Sequence, residues 1–288
     1  LNLKDNVQIY WGDEAIALLK KGENIFSPVI EIFNSEFVST ETKVLVTKKL
    51  QEWIDEKIRT ILTPIKDDLE SITTSADLRS ITYNLFNLLG VMPIEDYQSD
   101  IKKLTNEKKL VISKLGIRMG AKYFFIPNFL KKNAIELKAV LWRTFYDDNL
   151  SGIYPLPKDG RVSFTTEINL PETYWLAIGY LCINDFVIRI DVFEKIFFLA
   201  RKKIKSGPFL ESSELMNPIG CNSSQLSNLL SFCGFESVAL ENENRLYFFK
   251  QKKIIRKKTI NKKEINIKTV KKNKTIKKKQ KIIIDPNS

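Results

Sequence analysis

The 288-residue sequence contains no histidine. That absence removes Ser-His-Asp and Cys-His nucleophile activation and the His-x-x-x-His zinc sites. It has three cysteines, Cys182, Cys221 and Cys233, odd in number and without C-x-x-C spacing. They read as reduced, mostly buried thiols in a cytosolic setting, and a cysteine nucleophile would lack its imidazole partner. No apolar run is long enough to cross a bilayer, and no signal-peptide pattern opens the chain, so the expectation is a cytoplasmic protein with no membrane partner. No G-x-x-x-x-G-K-[ST] loop occurs, so the chain alone is expected to hydrolyse no ATP. No catalytic residue and no metal ligand is assigned. The first residue is Leu1 rather than methionine, which reads as a piece of something longer.

What is present is a sharp segregation of charge. Residues 250–288 hold 16 Lys or Arg and two acidic side chains, while residues 1–249 hold 30 basic and 32 acidic ones. The body is close to neutral and the tail carries the whole excess. The tail has no aromatic residue and no glycine. Like-charge repulsion and the shortage of core residues predict that it is disordered when unbound. A concentrated polycation releases counterions from a phosphate backbone, which gives generic, salt-sensitive affinity. Its candidate contacts are Lys250, Lys252, Lys253, Arg256, Lys257 and Lys258.

With 43% apolar residues, most of the chain has enough core to fold. The fold class expected is α+β, mainly helical. Residues 1–149 read as a helical module with short strands. Strands are expected over 7–11 and 28–33. A short helix capped by Asp13 is expected over 14–21, closed by Gly22. Gly12-Asp13-Glu14-Ala15 superficially suggests a helicase acidic box, but the next residue is Ile16 and the capped helix start is the simpler reading. A long helix begins near Thr40, with Val44, Leu45, Leu50, Trp53, Ile54 and Ile58 at helical spacing, and Pro64 interrupts it. Ser75 opens another helix, and Asn133 with Glu136 forms a capping box for a third. Gly152, Pro155, Pro157, Gly160 and Pro171 mark a linker over 150–171.

Residues 172–249 read as a second domain. Asn184-Asp185 fits a tight hairpin turn between strands 180–183 and 186–190. Asp191 with Glu194 makes a capping box for a helix through Phe193, Ile196, Phe197 and Ala200. Two more helices and a hairpin joined by 241–244 complete the order of elements of a winged helix. Its third helix carries no Lys or Arg and offers only Gln225 and Asn228 for base edges.

One stretch joins these themes, Gly116-Ile-Arg-Met-Gly-Ala-Lys-Tyr-Phe-Phe-Ile-Pro-Asn-Phe-Leu-Lys-Lys132. Gly116 fits a left-handed helix cap, Gly120 permits a bend or a close approach, and 123–126 reads as a buried strand that Pro127 ends. Arg118 pairs with a carboxylate or reaches a phosphate. Lys122, Lys131 and Lys132 are the other candidate strand contacts here.

Leu115-Gly-Ile-Arg-Met-Gly120 followed by Phe125-Ile-Pro-Asn-Phe-Leu-Lys131 resembles a signature of large alphaproteobacterial superfamily 2 helicases, similar to the mitochondrial degradosome RNA helicase. Ile9-Tyr-Trp-Gly12 with residues 15–19, and Ile178-Gly-Tyr180 with Val187-Ile-Arg-Ile-Asp191 and Glu194, also resemble segments of that family, in the same order. Met119, Ala121 and Lys132 depart from its usual residues. The resemblance implies a region that follows a helicase motor. ATP and magnesium would belong to the motor domains, which are absent here, so no cofactor is expected in this chain. The implied partners are those motor domains and a nucleic-acid strand, RNA rather than DNA. The rival reading is a stand-alone winged-helix regulator or a protein-interaction adaptor.

Overall fold

The computed structural model describes residues 1–4, 6–33, 39–62, 75–147, 152–158, 160–240 and 245–249. Pro64, the 241–244 connection and the basic tail, with its six candidate contacts, lie outside the described residues. Residues 1–249 form one contact unit of mixed α+β structure.

The chain opens with an antiparallel meander in sequence order, β1 (Asn2–Leu3), β2 (Gln8–Trp11), β3 (Glu14–Lys20) and β4 (Val29–Ile32). The helix expected over 14–21 is therefore a strand. Ala17 and Leu19 are fully buried and Glu14 and Lys20 exposed, a period of two rather than 3.6. A helix of this length is marginal alone. Only Gly12 and Asp13 separate the segment from the preceding strand, so pairing with β2 satisfies its backbone instead.

Helix α1 (Thr40–Leu62) buries Leu50, Ile54, Ile58 and Leu62. Val44 and Leu45, expected on its inner face, are exposed, because only the later turns lie on the sheet and the core. Helix α2 (Ala76–Asn87) buries Leu78, Ile81 and Leu85 before the chain turns into β5 (Val91–Pro93). Two short helices follow, α3 (Gln98–Lys102) and α4 (Asn106–Lys114), then β6 (Arg118–Met119) and β7 (Tyr123–Phe125) in a sheet ordered β5-β7-β6. A 3-10 turn, Pro127–Leu130, leads into α5 (Lys132–Tyr146). The capping box expected at Asn133 is not formed. The helix has already begun at Lys132, and Asn133 Oδ1 instead accepts from the next N–H, that of Ala134 (3.0 Å).

Strand β8 (Ser163–Thr165), helix α6 (Glu172–Ala177), β9 (Tyr180–Ile183) and β10 (Phe186–Arg189) come next, with sheet order β8-β10-β9. The tight turn at Asn184-Asp185 is present, and Asn184 takes the left-handed conformation (φ 57°). Then follow α7 (Ile190–Ile204), β11 (Phe209–Leu210), α8 (Ser213–Met216), a 3-10 turn at Asn217–Ile219, α9 (Ser223–Phe232), β12 (Glu236–Ala239) and β13 (Arg245–Phe248). The last sheet is antiparallel, ordered β11-β13-β12.

Packing crosses the stretch read as a linker. Strand β8 lies within it and pairs with β10. The Tyr174 hydroxyl donates to the Pro155 carbonyl (3.1 Å), and the Tyr180 hydroxyl donates to that of Arg161 (2.8 Å). Two cores result. One holds the meander, the long helices and Tyr174, Trp175 and Ile178; the other holds Phe193, Ile196, Phe197, Leu226, Leu229, Phe235 and Tyr247. The sheet β5-β7-β6 stands between them. Met92 and Phe124 face the first core, whereas Val91, Tyr123 and Phe125 face the second. Strand alternation thus buries all of β7 and joins the two cores.

Candidate nucleic-acid interface

The 116–125 stretch is built as a cap followed by a narrow hairpin. Gly116 is left-handed (φ 77°) just past α4, and the Ile117 N–H reaches back to the Ile112 carbonyl (3.3 Å). Between β6 and β7 the Gly120 N–H closes the turn on the Tyr123 carbonyl (2.9 Å). The next three amides leave the hairpin together. Ala121 N–H donates to Glu194 Oε2 (2.6 Å), and Lys122 and Tyr123 N–H both donate to Glu194 Oε1 (2.7 Å each). Glu194, on α7, is buried. A buried carboxylate needs such donors, and three charge-assisted bonds supply them.

Gly120 is required by this approach. A Cβ there would lie 2.3 Å from Glu194 Cδ and 2.6 Å from the Tyr123 carbonyl oxygen. The capping box expected from Asp191 and Glu194 is consequently absent: α7 has Arg189 at its N-cap, with no side-chain cap bond. Asp191 is taken instead by Arg189, whose Nε and Nη2 donate to its two oxygens at 2.7 and 2.9 Å.

Beside this clamp lies an open groove of about 610 Å³. Arg118, Met119, Phe125 and Pro127 form one wall, and Asp191, Phe198 and Arg201 of α7 the other. Phe198 is 66% exposed. Arg118 and Arg201 are both exposed, and the Arg201 guanidinium sits 5.6 Å from the Phe197 ring centre. Asp191 is paired with Arg189 and the Glu194 oxygens are filled by three amides, so the lining groups with donors left for a ligand are the exposed guanidinium groups of Arg118 and Arg201. Two cations flanking an exposed ring can bind an anion beside a flat aromatic or apolar group.

The sequence-derived candidates are not gathered in one place. Arg118 lines the groove. Lys122 turns toward α9, its ammonium 5.6 Å from the Phe232 ring centre. Lys131 and Lys132 are exposed at the start of α5 and do not line the groove. Gln225 is engaged locally: its N–H donates to Asn222 Oδ1 (2.8 Å), and its Oε1 accepts from the Asn222 N–H (3.0 Å), a capping box that opens α9. Asn228 is half-buried one turn later.

Phe198 and Arg201 were missed. Their signal was the helical period of α7. Phe193, Ile196, Phe197 and Ala200 point inward, which puts Phe198 on the outer side of the helix and Arg201, one turn past Phe197, on the flank between the two.

All three cysteines are free, and burial pushes Cys221 up to about 11 and Cys233 up to about 12. Among the described residues no three His, Cys, Asp or Glu side chains are grouped to hold a metal ion, and no helix is long and apolar enough to cross a membrane. No protein-family model, curated protein or solved structure matches the chain.

Proposed function

We propose that this chain is a non-catalytic accessory region of an ATP-dependent helicase, most suited to RNA, that holds a single strand while a separate motor does the work. The observation that carries the reading is the charge segregation, 16 basic against two acidic residues in 250–288 beside a body with 30 and 32. Such an arm binds phosphate backbones without reading sequence. Within the body, residues 172–249 would act as a winged-helix-type module. Three helical segments and the antiparallel order β11-β13-β12 support that. Helix α9 carries no Lys or Arg and its Gln225 is engaged in a cap, which favours a packing role over base reading. The helicase parentage rests on the motif resemblance at 115–131 and 178–194.

Truncation after Phe249 tests the reading. Binding to labelled single strands of unrelated sequence should weaken, and the dependence of log affinity on log salt should flatten by about 0.7 for each phosphate that the arm no longer neutralises. Unchanged affinity and slope, or nucleotide turnover by the purified chain alone, would refute it. A strong preference for one duplex sequence would instead support a stand-alone regulator.

A further inference from the structure

We infer that the groove between Arg118 and Arg201 is a subsite for one nucleotide unit of a single strand, with the base stacked on Phe198 and the phosphate held by the two guanidinium groups. This deepens the strand-holding reading and rests on it. The first argument is electrostatic. Arg118, Arg201, Asp191 and Glu194 are the charged side chains that line the groove. Asp191 is held by Arg189 (2.7 and 2.9 Å) and Glu194 by three backbone amides (2.6–2.7 Å). Asp191 has Arg189 as its counterion and the Glu194 oxygens are filled by amide donors, so both lining guanidinium groups keep their donors for a ligand, in a groove whose formal charge is one positive once Arg189 is included.

The second argument is the ring. Phe198 is 66% exposed on α7 and Arg201 follows it by three residues, so both project from one side of the helix. A large aromatic left in water beside two arginines has the composition of a stacking platform with a phosphate clamp. The third is shape and stiffness. The groove, about 610 Å³, falls in the size range of ligand clefts. The Glu194 bonds fix the hairpin bearing Arg118 to the helix bearing Phe198 and Arg201, so the two walls are preorganised. An acidic peptide would satisfy the arginines but has no need of the ring.

The test uses the full chain and a fluorescein-labelled twelve-nucleotide uridine strand, titrated at several salt concentrations. Phe198→Ala should weaken binding about tenfold, the worth of one base–aromatic stack, with the salt slope unchanged. Phe198→Leu should lose as much, since it keeps apolar bulk and removes the ring. Arg118→Ala with Arg201→Ala should lower the slope by about 0.7, the value for one phosphate on a single strand. These residues are at the surface, so thermal melts should match the wild type. Ultraviolet crosslinking of wild-type protein to a bromouridine strand should map to the peptide containing Phe198, a readout independent of any variant. If the wild type binds and all variants bind equally, the groove assignment falls and the strand-holding reading survives. If the wild type binds no strand, both fall.

Discussion

Replacing Lys138 with methionine should make the protein more stable at neutral pH and remove much of its pH dependence above neutrality. Lys138 lies on α5 with no exposed surface. Its ammonium donates to the Leu89 carbonyl (3.3 Å) and sits 5.8 Å from the Phe129 ring centre. Burial alone pulls it down from 10.5 to about 7. A lysine depressed in this way binds fewer protons folded than unfolded, so its contribution to stability rises with pH from about 7 to 10.5. At pH 7 its burial costs about 4 kcal/mol, and at pH 9 about 2 kcal/mol. Methionine removes that cost but leaves the Leu89 carbonyl without its donor, a loss of roughly 1–3 kcal/mol at either pH. The Lys138→Met protein should therefore be more stable by about 1–3 kcal/mol at pH 7 and close to wild type at pH 9. Urea unfolding of both proteins at the two pH values measures this, with an unchanged m-value as the control. The hydrogen-bond loss cancels in the comparison across pH, so about 2 kcal/mol should separate the two differences. Parallel profiles for wild type and variant would refute the reasoning.

Two further predictions concern the clamp. Glu194→Ala leaves the amides of Ala121, Lys122 and Tyr123 without their acceptor. It should cost about 3 kcal/mol or more, measured by thermal unfolding, with Glu194→Gln milder because one oxygen remains. Wild-type stability in Glu194→Ala would show that the clamp contributes nothing. Gly120→Ala places a Cβ 2.3 Å from Glu194 Cδ and 2.6 Å from a backbone oxygen. It should destabilise by about 1–3 kcal/mol through forced displacement of the hairpin, and the double variant Gly120→Ala, Glu194→Ala should cost less than the two singles summed.

Several elements were legible locally because their causes are local. The αL cap at Gly116, the Asn184-Asp185 turn and the buried run at 123–125 each follow from a few neighbouring residues. The inward face of α7 follows from its period, and that same period puts Phe198 on the outer side and Arg201 on the flank. The segment 14–20 misleads because caps at both ends suit a short helix, while the decisive factor is the adjacent strand β2, two residues away across the turn. Asp191 and Glu194 mislead for a different reason. Their spacing is that of a capping box, but acceptors go to the donors that most need them.

By itself, then, the sequence determined the neutral body, the cationic arm and the α+β mixture, because net charge and short-range periodicity depend only on which residues occur and how closely they follow one another. Tertiary structure alone decided that three amides at 121–123 converge on a carboxylate about 70 residues away, that one strand serves two cores, and that Arg118 comes to face Arg201 across a groove. Those outcomes depend on which buried polar groups find partners when distant segments pack, and no local pattern encodes that.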